Sequence, residues 1–292
     1  MLPPRVVTGV FYLAGWILLA AVGGWPLTLA IALLACIALV ELRGVVGRRR
    51  VRLAVEIGYP ICVGFVWAAQ AFANDLDNYA LALIGLIVFA LLADFSKHLS
   101  SDLRSPTPAV SITLLGCVYC GLCPSMIVAV RGLDPDLTAR VLGWDLPAGE
   151  RLLFFLLAVT MLSDVGGFVF GRLFGRHKFS GTVSPKKSVE GLLGAVGGAV
   201  LAALAAGSLL HIGPPLAAGV DPGATAVMHR VTLGVVLGLT GQLGDFGASI
   251  FKREAEVKDY GWLFPGHGGV LDRLDALIIN APVLFLYAKC AL

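Results

Sequence analysis

The sequence predicts an all-α, polytopic membrane protein with about nine transmembrane helices. Its mean hydropathy is +0.86 and only 14% of its 292 residues are charged, where a soluble domain carries about one quarter. Apolar runs follow one another at 6–22, 25–42, 53–72, 79–95, 109–130, 152–170, 189–210, 231–251 and 274–292. Each approaches the ~20 residues that cross a bilayer as a helix. The runs are continuous and do not alternate, which favours helices over a barrel, because a helix satisfies its own backbone hydrogen bonds in lipid.

Each run has its own context. The first follows a single Arg5 and ends without a small-residue cleavage pattern, so it reads as a retained span and not as a signal peptide. The second leads into the basic stretch Arg48, Arg49, Arg50 and Arg52, and the acidic "NDLDN" at 74–78 separates the third from the fourth. The fifth carries "CVYCGLC". The sixth and eighth each hold one aspartate, the seventh follows "SPKKS", and the ninth grows out of "GVLDRLD".

The basic residues set an orientation. With the N-terminus inside, seventeen of the 22 Lys and Arg fall on the cytoplasmic side, and Arg131, Arg140, Arg151, Arg230 and Lys289 fall outside. The net charge of +3 is then an inner-face bias suited to anionic headgroups, and no nucleic-acid partner is expected. The arginines at 48–52 read as topogenic. By character the chain divides into N-terminal transmembrane helices (1–130) and a C-terminal catalytic transmembrane region (131–292) with two cytoplasmic motif loops, 171–188 and 252–273. The stretches 131–151 and 211–226 read as solvated connectors.

Chemistry is expected in the second part because its spans contain acids. Asp164 in "MLSDVGGFVFG" and Asp245 in "GQLGDFGASIF" each sit about six residues inside a cytoplasmic helix end, ~9 Å deep. An unpaired carboxylate there costs ~2.5 kcal/mol or more, so a cation, a basic side chain or water must meet it, and equal depth places both in one cavity. Gly166, Gly167, Gly171 and Gly175 follow the first acid, and Gly234, Gly238, Gly241, Gly244 and Gly247 bracket the second. Such spacing serves close helix packing, which would bring the acids together.

The loop "GRLFGRHKFSGTVSPKKSVEG" has the composition of an anion site. Lys186 and Lys187, flanked by Ser184 and Ser188, precede a new helix whose N-terminal amides could join them on a phosphate. Ser184 with Lys187, or Ser188 with Gly191, would serve equally as a helix start, and the whole loop could simply flank the membrane. In "GHGGVLDRLD", Asp272 and Asp275 lie one helical turn apart, a grouping of hard oxygens that suits Mg²⁺. Gly266, Gly268 and Gly269 permit a tight bend, and His267 is placed to contact a phosphate. Cys117, Cys120 and Cys123 share a helix face, but no His or second CxxC accompanies them, so they read as small apolar residues and not as a metal site.

The segment "SIFKREAEVKDYGWLFPGHGGVLDRLD", from Ser249 to Asp275, resembles the signature of the phosphatidate cytidylyltransferase (CDP-diglyceride synthase) family, with every fixed position filled. Upstream, "SDVGGFVFGRLFGRHKFSGTVSPKKSVEG" from Ser163 to Gly191 is similar to the family's second block. The resemblance implies an enzyme that joins CTP to phosphatidic acid, giving CDP-diacylglycerol and pyrophosphate. It further implies a multi-span homodimer among membrane lipids, in a bacterial inner membrane, with a paired-metal site open to the cytoplasm. By motif position, Asp245 and Asp272 would hold Mg²⁺ and a second cation such as K⁺. Asp164 would support the catalytic site, and Ser184, Lys186, Lys187 and Ser188 would bind phosphates. Lys252, Arg253, Lys258, His267 and Arg273 would complete the pocket. Two positions depart from the pattern: Ala248 stands where an acid is frequent, and Glu256 where glycine is common. A CTP-dependent kinase of a polyprenol-type lipid alcohol and a cation-coupled transporter are the competing readings, since the first shares parts of these motifs and intramembrane acids also mark ion paths.

Overall fold

The computed structural model describes residues 4–99, 106–178, 184, 187–213, 223–263 and 268–291. Helices α1 (Pro4–Val22), α2 (Gly24–Gly47), α3 (Val55–Phe72) and α4 (Leu76–Leu99) come first. α5 (Pro106–Gly116) and α6 (Cys123–Arg131) follow as two parts of one span. A hairpin of β1 (Thr138–Val141) and β2 (Trp144–Pro147) then leads into α7 (Ala148–Phe174), α8 (Val189–Leu209), α9 (Ala224–Glu254) and α10 (Leu271–Ala291). Among the described residues eight helical segments are long and apolar enough to cross a membrane, and Gly9–Val22 within α1 is a shorter apolar stretch. The all-α polytopic membrane architecture expected from the sequence is therefore present. Most helices overrun their apolar runs, α9 by seven residues at its start, because helical hydrogen bonding continues into polar flanks that hydropathy ignores.

The chain forms two compact units. The first contains residues up to Gly132 together with Phe251–Leu274, and the second Leu133–Ile250 with Asp275–Leu292. In the first unit, Ile61 and Phe65 of α3 pack with Ala90 of α4 and Cys117. Between α5 and α6 lies a single π-helical stretch, Cys117–Leu122, in which the Cys123 amide reaches back five residues to the Val118 carbonyl. Pro124 follows at once and lacks an N–H, so the widened turn absorbs the register that proline breaks. Gly121 lies against Cys62, where an added Cβ would stand 2.9 Å from the Cys62 Cα, so α3 and this turn touch backbone to backbone. Gly23 joins α1 to α2 at φ 59°, with the Arg131 guanidinium lying where its side chain would be. Arg131 Nε in turn donates to the Ala20 carbonyl at 2.8 Å, capping the end of α1.

The second unit opens with the hairpin, which the sequence reading had left as connector. Its two turn residues, Leu142 and Gly143, have φ of 50° and 90°, the hand a two-residue hairpin requires. Arg151, fully buried, donates to the carbonyls of Leu210 and His211 at 3.2 Å, and Arg230 donates to Ile212 O at 2.7 Å. Two arginines expected as outer-face charges thus satisfy the carbonyl end of α8. Asn280, also fully buried, donates to Thr160 at 3.0 Å and accepts from Thr240 at 2.7 Å, tying α10 to α7 and α9.

Glycine decides how α7 to α10 pack. A Cβ on Gly194 of α8 would stand 2.7 Å from the Gly166 carbonyl of α7, and one on Gly198 would stand 2.6 Å from the Leu162 carbonyl. On α9, Gly234 and Gly238 press on Val200 and Ala199 of α8, while Gly241 and Gly244 face α10. Gly166, Gly167 and Gly171 beside Asp164 therefore serve contacts with α8, and Gly234, Gly238, Gly241 and Gly244 beside Asp245 serve contacts with α8 and α10, while Gly247 faces open space. We expect Gly194→Val to abolish the folded, monodisperse protein in detergent. Gly197→Ala, on the same helix but with nothing within 4 Å, should raise its apparent unfolding temperature, since alanine is favoured over glycine in a helix by about 0.5–1 kcal/mol. Size-exclusion chromatography after heating reads both.

Candidate active site

The first cluster lies in the second unit, where the loop after α7 meets the start of α8. Ser188 caps α8, its Oγ accepting the Gly191 N–H at 3.1 Å, and the Val189 N–H donates to the His177 carbonyl at 2.9 Å. The Glu190 carboxylate accepts the N–H groups of Arg176 and His177 at 3.2 Å and pairs with the His177 ring at 2.6 Å. These ties close the base of the loop and fix where Lys187 leaves it. Its ammonium sits 2.7 Å from Asp245 Oδ2, 3.4 Å from Gln242 Oε1 and 3.9 Å from the centroid of the Phe246 ring. Gln242, Asp245 and Phe246 are spaced i, i+3, i+4, so one face of α9 presents an acceptor, an anion and a π-face to a single cation. Asp245 is half-buried, and its charge inside an apolar helix is met by this lysine.

The second cluster lies in the first unit, around the start of α10. Asp272 is buried, and its Oδ1 lies 2.7 Å from the Lys252 ammonium. Its Oδ2 accepts the N–H groups of Tyr260 at 2.7 Å and Gly269 at 2.9 Å. Gly268 turns the chain at φ 83°, where any Cβ would stand 2.6 Å from Asp272 Oδ2. Beside it, Glu41 of α2 accepts the Val270 and Leu271 N–H groups, each at 2.9 Å, one on each carboxylate oxygen. Two acids from distant parts of the sequence thus occupy the amide end of one helix, where unpaired N–H groups and the helix dipole both favour negative charge.

The end of α9 explains one departure from the family pattern. Glu256 N–H donates to Arg253 O, and Val257 N–H reaches Lys252 O at 2.9 Å, with Glu256 at φ 57°. This is a Schellman cap whose left-handed position normally takes glycine. The Glu256 side chain is exposed, paired at 3.3 Å with Arg49, whose Nε also bonds the Glu254 carbonyl. Ala248, the other departure, is fully buried.

The remaining sequence candidates are more dispersed. Asp164 lies on an exposed part of α7, beside exposed Leu162, Val165 and Phe168. The Ser184 carbonyl accepts the Lys187 N–H at 3.1 Å. Arg253, Lys258 and Arg273 have exposed side chains, and the Arg273 carbonyl accepts a bond from Tyr12 at 2.9 Å. Lys186 and His267 lie outside the described residues. The sequence reading missed Glu41, Gln242, Phe246 and Tyr260. Glu41 carried the signal used for Asp164 and Asp245, a carboxylate within an apolar run, but sat so near the end of that run that it passed for a boundary residue.

The donor chemistry fits a hard cation. Asp245 and Asp272 each already hold an ammonium at 2.7 Å, and Asp272 has one oxygen committed to backbone amides and the other to a positive charge. Among the described residues no three His, Cys, Asp or Glu groups cluster closely enough to enclose a metal.

Comparison with known proteins gives this geometry a context. A model described as the cytidylyltransferase family matches residues 3–291. The chain belongs to the cytidylyltransferase family. A protein of Synechocystis sp. named phosphatidate cytidylyltransferase is 29% identical over 97% of the chain and 95% of its own length. One of the same name from Bacillus subtilis is 27% identical over 99% and 97%. A third, from Staphylococcus epidermidis, is 36% identical over 47% of the chain and 48% of its own length.

Two outcomes follow for this family member. Glu41→Ala should leave the Val270 and Leu271 amides without their acceptor and lower stability by about 2 kcal/mol, read as a fall in apparent unfolding temperature. Glu256→Gly should raise that temperature, because the left-handed position costs a non-glycine residue about 1 kcal/mol and the ion pair lost is exposed.

Proposed function

We propose that this protein transfers the cytidylyl group of CTP to phosphatidic acid, giving CDP-diacylglycerol and pyrophosphate for phospholipid synthesis. The observation that carries the reading is the near-complete overlap with two relatives named for that activity. The motif block supports it by folding so that Asp272 is saturated by Lys252 and backbone amides. We place the protein in a bacterial inner membrane with the motif loops facing the cytoplasm, following the distribution of Lys and Arg. A homodimer is proposed on the resemblance alone.

In the proposed reaction a phosphate oxygen of phosphatidic acid attacks the α-phosphorus of CTP in line. The bond from the α-phosphorus to the bridging oxygen breaks, and pyrophosphate leaves with its electron pair. The attacking phosphate is already ionised near neutral pH, so no strong general base is required. Both reactants are anionic, and the chief task of the protein is to offset their repulsion while aligning them. Lys187 and Lys252, each held on a carboxylate in its own unit, are cations ready to exchange that partner for a substrate phosphate. By motif position Asp245 and Asp272 would hold Mg²⁺ and a second cation such as K⁺. When bound, such ions would neutralise charge on the transferring phosphate and on the departing pyrophosphate. Asp164, Ser184, Lys186, Ser188, Arg253, Lys258, His267 and Arg273 are proposed to complete the substrate pocket.

The test follows a label. Purified protein with phosphatidic acid, Mg²⁺ and CTP labelled at the α-phosphate should move label into lipid and release unlabelled pyrophosphate. Label appearing as CDP when a lipid alcohol is supplied would instead assign a kinase, and no turnover with either lipid would overturn the reading. Asp245→Asn and Asp272→Asn should each lower turnover by about 10²-fold or more while the protein still inserts in the membrane. Wild-type rates in either inserted variant would remove that carboxylate from the metal assignment.

A further inference from the structure

A basic cavity, lined by none of the paired acids just described, lies in the first unit. It has a volume of about 570 Å³ and opens between the end of α2, the start of α3 and the end of α4. Arg43, Arg50, Arg52 and Lys97 line it, with Glu56 as the single acid. The Glu56 carboxylate is taken by the Lys97 ammonium. Among the described lining residues, the three arginines thus face one space whose one carboxylate already has a partner, and basic groups outnumber acids by three.

Two features separate this from a topogenic run of arginines. Orientation in a membrane needs positive charge on one side but no concavity and no convergence. Here residues from three helix ends converge, and the chain turns at Arg50 with φ 59°, a conformation unfavourable for any residue with a side chain. Neighbouring Arg49 points to the end of α9 instead, bonding Glu254 and Glu256. A strained turn that divides adjacent arginines between two surfaces is the kind of outlier from which a role is inferred.

We propose that this cavity binds a phosphate-bearing anion, in the position of an anionic phospholipid headgroup. Guanidinium forks match phosphate oxygens two at a time, the volume falls within the ~300–1,000 Å³ of small-ligand sites, and the cavity lies at helix ends where headgroups lie. The same chemistry would accept free phosphate from solution. The inference does not depend on which reaction the protein catalyses.

The test uses the full chain in neutral detergent and native mass spectrometry, with phosphatidylglycerol against phosphatidylcholine as probes. Wild-type protein should retain the anionic lipid in about tenfold preference. The triple variant Arg43→Lys/Arg50→Lys/Arg52→Lys keeps the charge that sets topology but loses the forks, and should lose most of that preference. Glu56→Gln, which removes the acid among the described lining residues, should strengthen retention severalfold. That rise would not follow from a merely topogenic role. If inorganic phosphate binds with the same dependence on these variants while the lipid shows none, the site is a phosphate site filled from solution. If neither probe responds to the variants, or if the wild type shows no preference, the proposal is overturned.

Discussion

A carboxylate inside an apolar helix must be met by a donor or a cation, and this requirement organises the polar interior of the protein. In the second unit Asp245 is met by Lys187, which also rests on the Phe246 ring. In the first, Asp272 is met by Lys252 and by two backbone amides, and Glu41 by two more. Three of these backbone donors, Gly269, Val270 and Leu271, come from the start of α10, a place where amides would otherwise lack acceptors, and the fourth is Tyr260. Glycines at 268 and 269 are needed for that approach, because a side chain at either would collide with Asp272 or Glu41. The glycine and charge concentrated in "GHGGVLDRLD" are therefore two parts of one arrangement.

This arrangement also suits the proposed chemistry. An ammonium held on a carboxylate offsets part of the desolvation cost of keeping both charges inside the protein, and either can be released to a stronger partner. A triphosphate supplies such a partner for the lysine, and a hard cation supplies one for the carboxylate. Lys187 is positioned by the Ser188 cap and by Glu190, which closes the base of its loop. Lys252 is positioned by its place in the last turn of α9, immediately before the Schellman cap at Glu256.

Much of the fold was legible in the sequence because hydrocarbon imposes one simple rule, a continuous apolar run of about 20 residues. The spans at 189–210 and 53–72 agree with α8 and α3 to within two residues. What was not legible depended on contacts distant in sequence. Nothing local to Arg151 and Arg230 says that they cap α8, and nothing near "VELRG" says that Glu41 will cap a helix some 230 residues later. The glycine spacing announced close packing but not the partner, and α8 proved to be the surface that α7 and α9 both use. At the site, Lys187, Asp245, Lys252 and Asp272 could be picked out by residue type, whereas their pairing and the parts played by Gln242, Phe246 and Tyr260 needed coordinates. Glu256 stands in the sequence where glycine is common. Its backbone shows a helix cap in which glycine would be easier, with the charge turned outward to Arg49.

The proposed function requires Asp245 and Asp272 to exchange their lysines for a divalent cation when nucleotide is present. Mn²⁺ binding followed by electron paramagnetic resonance tests this directly, because free and bound ion give different signals. The wild-type protein should bind Mn²⁺ in a CTP-dependent manner, and Asp245→Asn and Asp272→Asn should each weaken that binding by about tenfold or more. Undiminished binding in both variants would contradict the account and would leave the two lysine pairs as structural contacts.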